Sequence, residues 1–209
     1  MIAIIDYDAG NLRSVEKALE ALGQQVIVTK DAETIRQAEK VILPGVGAFG
    51  DAMANLQRLG LVEVIRETAA SGKPFLGICL GLQLLFEDSD ETPGVPGLGI
   101  LRGHIKRIPE QPGLKVPHMG WNNLELHHDG ALFRGLPEHP YVYFVHSYYL
   151  EAEDPDIVTA TAEYGVTIHA SVQRGNLFAC QFHPEKSSQI GLAILKNFAE
   201  LPEKGAQVC

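Results

Sequence analysis

The first half of the chain alternates short apolar runs with segments of helical spacing. Four runs have the length and composition of buried strands: 2–6, 25–29, 40–44 and 73–78. Three segments place apolar residues three or four positions apart and predict helices: 11–22, 48–70 with a break near Gly60, and 80–87. Buried strands alternating with helices indicate βαβ units and a parallel sheet covered on both faces.

Beyond Glu87, most apolar runs alternate with polar positions. A Pro/Gly-rich loop, DSDETPGVPGLG, precedes six strand-like segments: GHIKRI, KVPHMGWNNL, YVYFVHSYYL, DIVTATAEY, VTIHASVQRG and NLFACQFHPE. We expect largely antiparallel pairing among them and a last helix over about 188–199. The predicted fold is therefore α/β, a mostly parallel sheet flanked by helices with an antiparallel extension in the second half. It forms one domain over 1–201, followed by a polar tail, 202–209.

Composition narrows the class of protein. The chain has 209 residues, 45% of them hydrophobic and 21% charged, which is typical of a soluble globular protein. A net charge of −9 argues against a nucleic-acid or anionic-membrane surface, and no signal peptide or membrane helix is predicted. Cys79, Cys180 and Cys209 cannot all pair and fit no zinc-ligand spacing, so we expect a cytoplasmic protein without metal or cofactor.

The segment Gly77-Ile78-Cys79-Leu80-Gly81 places a cysteine at the predicted strand-to-helix turn. Its spacing is that of the nucleophile elbow G-x-S-x-G, with sulfur in place of oxygen. A sharp turn exposes the nucleophile, small neighbours let strand and helix pack closely, and a helix N-terminus stabilises a thiolate. Taken alone, the segment fits a buried structural cysteine with packing glycines equally well.

His183 is the candidate base for such a thiol. It ends the run NLFACQFHPE, and the residue before Pro184 favours an extended backbone. His183 and Glu185, two positions apart, are then expected to project to the same side. A carboxylate beside one ring nitrogen leaves the other nitrogen for the thiol. The alternative is a histidine at a strand end beside a solvated glutamate.

A formal G-x-G-x-x-G over Gly45, Gly47 and Gly50 has two interpretations. It matches the dinucleotide fingerprint, but it does not follow the first strand and no acidic residue ends a strand about 20 positions later. As a loop beside a triad, it would supply a backbone N–H to an oxyanion, with a second from Leu80, the residue after the nucleophile. Only the second interpretation uses Cys79.

The motifs GICLGLQ and FHPE resemble the two signatures of the class I (triad) glutamine amidotransferases, in the same order and at a similar distance. PGVGAFGDAM, PHMGWN, FVHSYY and the opening DYxxGN are similar to one branch, the glutaminase subunits of imidazole glycerol phosphate synthases of histidine biosynthesis. The resemblance spans nearly the whole chain and implies a flavodoxin-like fold. It also implies that Cys79 forms a thioester with glutamine while His183, oriented by Glu185, transfers the proton to ammonia.

The resemblance implies roles for further residues. Gln83 would hold the substrate, His146, Ser147 and Tyr148 would border it, and Val46, Gly47 and Leu80 would form the oxyanion site, whose loop is expected to rearrange before it donates. The implied partner is a (β/α)8-barrel cyclase that uses the ammonia to form imidazole glycerol phosphate and aminoimidazole carboxamide ribotide. The segments implied to meet it are Asn11 and Pro117, His118, Met119, Gly120, Trp121 and Asn122. Asp8 departs from the glycine that is usual in this branch.

Three alternatives stay open at this stage. The chain could be the glutaminase subunit of another complex, such as pyridoxal phosphate or anthranilate synthesis. It could be a free-standing cysteine hydrolase of the same fold, which would not need Gln83. It could also be a non-catalytic module that binds a nucleotide at 45–50.

Overall fold

A computed structural model describes residues 1–127 and 130–202. The strands in these ranges are β1 Ile2–Ile5, β2 Val26–Thr29, β3 Lys40–Gly45, β4 Phe75–Cys79, β5 Asp88–Ser89, β6 Gly103–Arg107, β7 His118–Asn123, β8 Glu125–Leu126, β9 Tyr141–His146, β10 Tyr148–Ala152, β11 Val158–Glu163, β12 Thr167–Arg174 and β13 Leu177–Cys180. The helices are α1 Leu12–Ala21, α2 Ala32–Gln37, α3 Phe49–Arg58, α4 Val62–Ala70, α5 Leu80–Leu84 and α6 Ser188–Ala199. Short 3₁₀ turns cover Ala131–Phe133, Pro155–Ile157 and Pro184–Lys186.

The main sheet has the strand order β2-β1-β3-β4-β13-β12-β11-β8. The first five strands run parallel, and β12, β11 and β8 extend the sheet by antiparallel pairing. Two smaller sheets, β10-β6-β5 and β7-β9, complete the pairing. The predicted α/β architecture is therefore confirmed. Parallel strands bring their carboxyl ends to one edge, so the residues after β3, β4 and β13 lie side by side there.

Apolar residues cover both faces of the sheet. Every residue of β1, β3 and β4 is buried, as the apolar runs in these strands predict, and the burial includes Lys40 at the start of β3. One core layer joins the sheet to α1 and α6 through residues such as Leu19 and Phe198. The other joins it to α2, α3 and α4 through Ile35, Leu56 and Ile65. These two layers fix the carboxyl ends of the strands in place.

Three features of the sequence prediction differ in the structure. The pattern missed α2, a six-residue helix with one buried residue, Ile35. The segment YVYFVHSYYL is two strands, because the chain leaves the β7-β9 sheet at Ser147 and enters the β10-β6-β5 sheet. Helix α5 ends at Leu84, earlier than predicted. Of the predicted tail, 202–209, only Pro202 is within the described residues, and Cys209 lies outside them.

Candidate active site

Cys79 is the last residue of β4, and α5 begins at the next position. Its backbone has φ +54° and ψ −110°, a conformation that a side-chain-bearing residue rarely adopts. Strain of this kind costs about 1–3 kcal/mol and persists only where the surroundings enforce it. Cys79 therefore occupies a tight strand-to-helix turn, as the elbow spacing predicts.

Gly77 and Gly81 make this turn possible because no side chain fits at either position. A Cβ at Gly81 would lie 1.8 Å from the Leu43 carbonyl oxygen of the neighbouring strand β3. A Cβ at Gly77 would lie 2.8 Å from the carbonyl oxygen of Gly81 itself. Both obstacles are backbone atoms, which cannot rotate away. The two glycines thus let α5 pack directly against β3 and β4.

The turn after β13 positions His183. Its N–H donates to the Tyr143 carbonyl over 2.9 Å, and its own carbonyl accepts from the Ser187 hydroxyl over 2.6 Å. His183 is extended, at φ −100° and ψ 97°, and Pro184–Lys186 then form a 3₁₀ turn. The turn brings the Glu185 carboxylate to 2.8 Å from His183 Nδ1, so the predicted His–Glu contact is present.

Both side chains of this pair are almost fully buried. Burial lowers the pKa of His183, but the adjacent Cys79 and Glu185 outweigh it and raise that pKa to about 9. The imidazolium is therefore favoured at neutral pH, and a cation beside a thiol favours the thiolate. Nε2 of His183 is buried with no hydrogen-bond partner among the described residues. Because Nδ1 contacts Glu185, Nε2 is the ring nitrogen available for proton exchange with the Cys79 thiol in the predicted triad.

The glycine-rich loop after β3 lies at the same edge. Val46 is 40% exposed, and Gly47 has φ +101° with open space where a Cβ would lie. Leu80, as the first residue of α5, has an N–H without an intrahelical acceptor. The three predicted oxyanion residues thus line one cavity together with Cys79.

The start of α3 argues against the nucleotide interpretation of this loop. The Phe49 N–H donates to a Glu91 carboxylate oxygen over 2.7 Å, and the Gly50 N–H donates to the Thr92 hydroxyl over 3.2 Å. The donors that a phosphate would need at this helix N-terminus are therefore occupied by protein groups, one of them an anion. Gly50 serves close packing instead, since a Cβ there would lie 2.7 Å from the Thr92 side chain.

A cavity of about 420 Å³ opens over Cys79. It is lined by Val46, Gly47, Cys79, Leu80, Gln83, Glu91, Pro117, Val145, His146, Ser147, Tyr148 and His183. The predicted nucleophile Cys79, the predicted base His183 and every predicted oxyanion and substrate residue therefore line the same cavity. Glu91 was not predicted, because the loop DSDETPG contains several acidic residues and nothing in the pattern selects this one. In 1–127 and 130–202, no cluster of His, Cys, Asp or Glu could hold a metal ion.

Gln83 and the 146–148 segment are joined by hydrogen bonds. The Gln83 amide nitrogen donates to the Tyr148 carbonyl over 3.1 Å, and His146 Nδ1 lies 2.8 Å from the same oxygen. His118 Nδ1 lies 3.0 Å from His146 Nε2. Burial lowers the pKa of His118 to about 4 and that of His146 to about 3, so both imidazoles are neutral at pH 7.

Gln181 is a second residue that the sequence analysis missed. It is fully buried between β13 and His183, and its amide nitrogen lies 3.7 Å from the Cys79 sulfur. Its amide oxygen accepts from the Gln83 amide nitrogen over 3.0 Å. A polar side chain inside the apolar run LFACQF was the available signal, since such a group needs partners when buried.

The segments expected to meet a partner lie beside the cavity. Pro117 lines it, His118 is buried against Phe144, and Met119 and Trp121 are exposed on β7 at 62% and 52% of their surface. A core position for the tryptophan is thereby excluded. The remaining members, Gly120, Asn122 and Asn11, are partly buried.

The family comparison agrees with this geometry. The model of the family "Glutamine amidotransferase class-I" matches residues 3–201. Solved structures share the fold: a glutamine amidotransferase crystal structure has a TM-score of 0.73 at 20% identity over 95% of this chain and 100% of that one. PurLQS from Thermotoga maritima has a TM-score of 0.72 at 22% identity, covering 95% and 96%. The chain belongs to the class-I glutamine amidotransferase family.

Curated relatives specify the branch. The chain is 60% identical over 200 residues to imidazole glycerol phosphate synthase subunit HisH of Moorella thermoacetica, covering 96% of this chain and 94% of that protein. It is 54% identical over 202 residues to the subunit of the same name from Thermosynechococcus vestitus, covering 96% of each. Within its family, the chain therefore falls in the HisH branch.

Proposed function

We propose that this chain is the glutaminase subunit of an imidazole glycerol phosphate synthase and hydrolyses glutamine to glutamate and ammonia. The observation that carries the proposal is Cys79 on its strained turn, facing a cavity beside the buried His183–Glu185 pair. Similarity to HisH subunits supports the pathway, histidine biosynthesis.

The reaction proceeds in two steps. The Cys79 thiolate attacks the side-chain amide carbon of glutamine, and the C–N bond breaks as His183 gives a proton to the departing ammonia. A water molecule, deprotonated by His183, then attacks the γ-glutamyl thioester and releases glutamate and the thiolate. Glu185 holds Nδ1 throughout and supports the imidazolium. The Leu80 N–H and the loop at Val46–Gly47 stabilise the oxyanion of each tetrahedral intermediate.

Glutamine is an amino acid with an α-ammonium group, and the cavity offers acceptors for it. Both contacts of the Gln83 amide are made by its nitrogen, and no described residue donates to its oxygen, which we assign to the ligand. Glu91 lines the cavity: one carboxylate oxygen accepts from the Phe49 N–H, and the other, which no described residue contacts through a hydrogen bond, would pair with the ammonium. His146, Ser147 and Tyr148 border the substrate with backbone groups.

The ammonia passes to a (β/α)8-barrel cyclase partner, which forms imidazole glycerol phosphate and aminoimidazole carboxamide ribotide. The partner face comprises Asn11 and the segment from Pro117 to Asn122. It combines two exposed large apolar side chains, Met119 and Trp121, with a wall of the cavity at Pro117. Aromatic residues and methionine are enriched at protein interfaces. The complex works in the cytoplasm.

The test is glutamate release from glutamine by the chain alone, then with the cyclase subunit and its nucleotide substrate. We expect weak hydrolysis alone and a strong rise in the complex, because the oxyanion loop is exposed until a partner covers it. Cys79→Ser should abolish glutamine hydrolysis while synthesis from added ammonia continues. Full activity alone would indicate a free-standing hydrolase, and failure to couple to this cyclase would indicate a subunit of another pathway.

A further inference from the structure

Gln181 contacts the nucleophile, and the direction of its amide follows from the hydrogen bonds around it. The starting point is the Tyr148 carbonyl, which can only accept. The Gln83 side-chain atom 3.1 Å from it must therefore be the NH₂ group. That same group lies 3.0 Å from Gln181, so the Gln181 atom facing it must be the amide oxygen. The Gln181 NH₂ group is then the one that faces the Cys79 sulfur, at 3.7 Å.

We propose that Gln181 is a positioning residue of the glutaminase reaction: it holds the Cys79 sulfur with an N–H donor and favours its anionic form. The inference rests on the proposed function, because it concerns the nucleophile of that reaction. Gln181 cannot turn its oxygen toward the sulfur without losing the bond to Gln83. The side chain has no exposed surface, so water cannot replace either contact. An N–H donor fixed in a buried site stabilises a developing or resident negative charge without reorganisation.

The arrangement also separates two tasks. Both N–H groups of the Gln83 amide donate to protein acceptors, which leaves its oxygen for the substrate. The Gln181 amide oxygen accepts from Gln83, and its N–H points to the Cys79 sulfur. Substrate binding and thiolate stabilisation therefore depend on the two ends of one hydrogen-bonded chain.

Two variants separate this role from simple packing. Gln181→Glu keeps the shape and the acceptor for Gln83 but places a carboxylate oxygen against the sulfur. Gln181→Met keeps an unbranched buried side chain and removes the donor. The matched control is Gln173→Met on the adjacent strand β12, whose side chain accepts from the Ala131 N–H, away from the cavity. Thermal unfolding is measured first, and only variants that are folded at the assay temperature are compared with the native chain.

The first readout is alkylation of Cys79 by iodoacetamide on the full chain, resolved from Cys180 and Cys209 by peptide mass mapping. At pH 7 we expect a rate roughly tenfold lower for Gln181→Met, since hydrogen bonds to charged groups are strong. At pH 9.5 the rates should converge, because an ordinary cysteine thiol, with a pKa of about 8.5, ionises at that pH without a neighbouring donor. The control should match the native chain at both pH values.

The second readout is glutamine hydrolysis by the complex with the cyclase subunit. Gln181→Glu should lower kcat with KM within about twofold, because its bond to Gln83 is preserved. Native alkylation of Gln181→Met at pH 7, or an equal decrease at pH 7 and pH 9.5, would overturn the proposal and leave a packing role. Alkylation does not require turnover, so it tests the inference even where the proposed function fails.

Discussion

Gly81→Ala tests whether close packing of α5 creates the nucleophile. The new Cβ would start 1.8 Å from the Leu43 carbonyl oxygen, whereas ordinary contacts begin at 3.4 Å. The start of α5 must therefore move by about 1.6 Å, since the obstacle is backbone. Overpacking of this kind typically costs about 1–3 kcal/mol. A displacement of about 1 Å at a reacting group costs about 10²-fold in rate, so we expect kcat to fall by at least that factor.

The assay is glutamate release by the complex, with urea unfolding of the same protein. Gly72→Ala is the control: Gly72 has φ +80° and no atom within 4 Å of a Cβ, far from the cavity. It should lose about 1–2 kcal/mol through its left-handed backbone and keep its activity. If Gly81→Ala retains native kcat, close packing does not create the nucleophile. Equal losses of activity in both variants would likewise assign the effect to general destabilisation.

Three further predictions follow from charges in the structure. Glu91→Gln keeps the acceptor for the Phe49 N–H but removes the charge, so KM for glutamine should rise roughly tenfold with kcat nearly unchanged; an unchanged KM would remove Glu91 from substrate binding. The depressed pKa values of His118 and His146 mean that unfolding takes up protons below pH 6.5, so stability should fall by pH 5, by on the order of 2 kcal/mol for His146 alone, and His118 adds to this loss. The raised pKa of His183 has the opposite sign and removes stability as pH rises from 6.5 toward 9; melting temperatures that stay flat from pH 5 to 9 would contradict both. Asp8 adopts φ +65° and pairs with Lys30 and Arg58 on the surface. Asp8→Gly should therefore keep native activity, and its melting temperature should differ from that of the native chain by an amount that shrinks in 1 M salt. A loss of activity would refute this.

Sequence patterns predicted the parts of the fold that depend on local periodicity. Unbroken apolar runs indicated the parallel strands, because burial on both faces leaves no polar position. The break within YVYFVHSYYL was not predictable in this way, since its two strands have the same alternation and differ only in the sheet they join. Helix α2 was missed because it buries one side chain, Ile35, and a single apolar position defines no period.

The site shows the same division between local and tertiary signals. The turn at Cys79 and its two glycines were predicted because the nucleophile-elbow motif occupies five consecutive residues, Gly77 to Gly81. The His183–Glu185 contact was predicted from an extended backbone, but the structure achieves it with a 3₁₀ turn over Pro184–Lys186. Gln181 depends on contacts made across the fold, with Gln83 and Cys79, and no local spacing encodes them.

The residues of the site differ in how tightly packing holds them, and this difference indicates which part a partner could regulate. Cys79, Gln83 and His183 are buried and held by neighbouring backbone or side chains, so they are already placed for chemistry. The loop at Val46–Gly47 is different: its valine is exposed, and its glycine has a left-handed backbone with free space around it. A group can change orientation only where packing permits it. Among the described residues of the proposed reaction, this loop, with the proposed second oxyanion donor, is the least constrained by packing, so we expect a partner that covers this edge to act through the loop rather than through the triad.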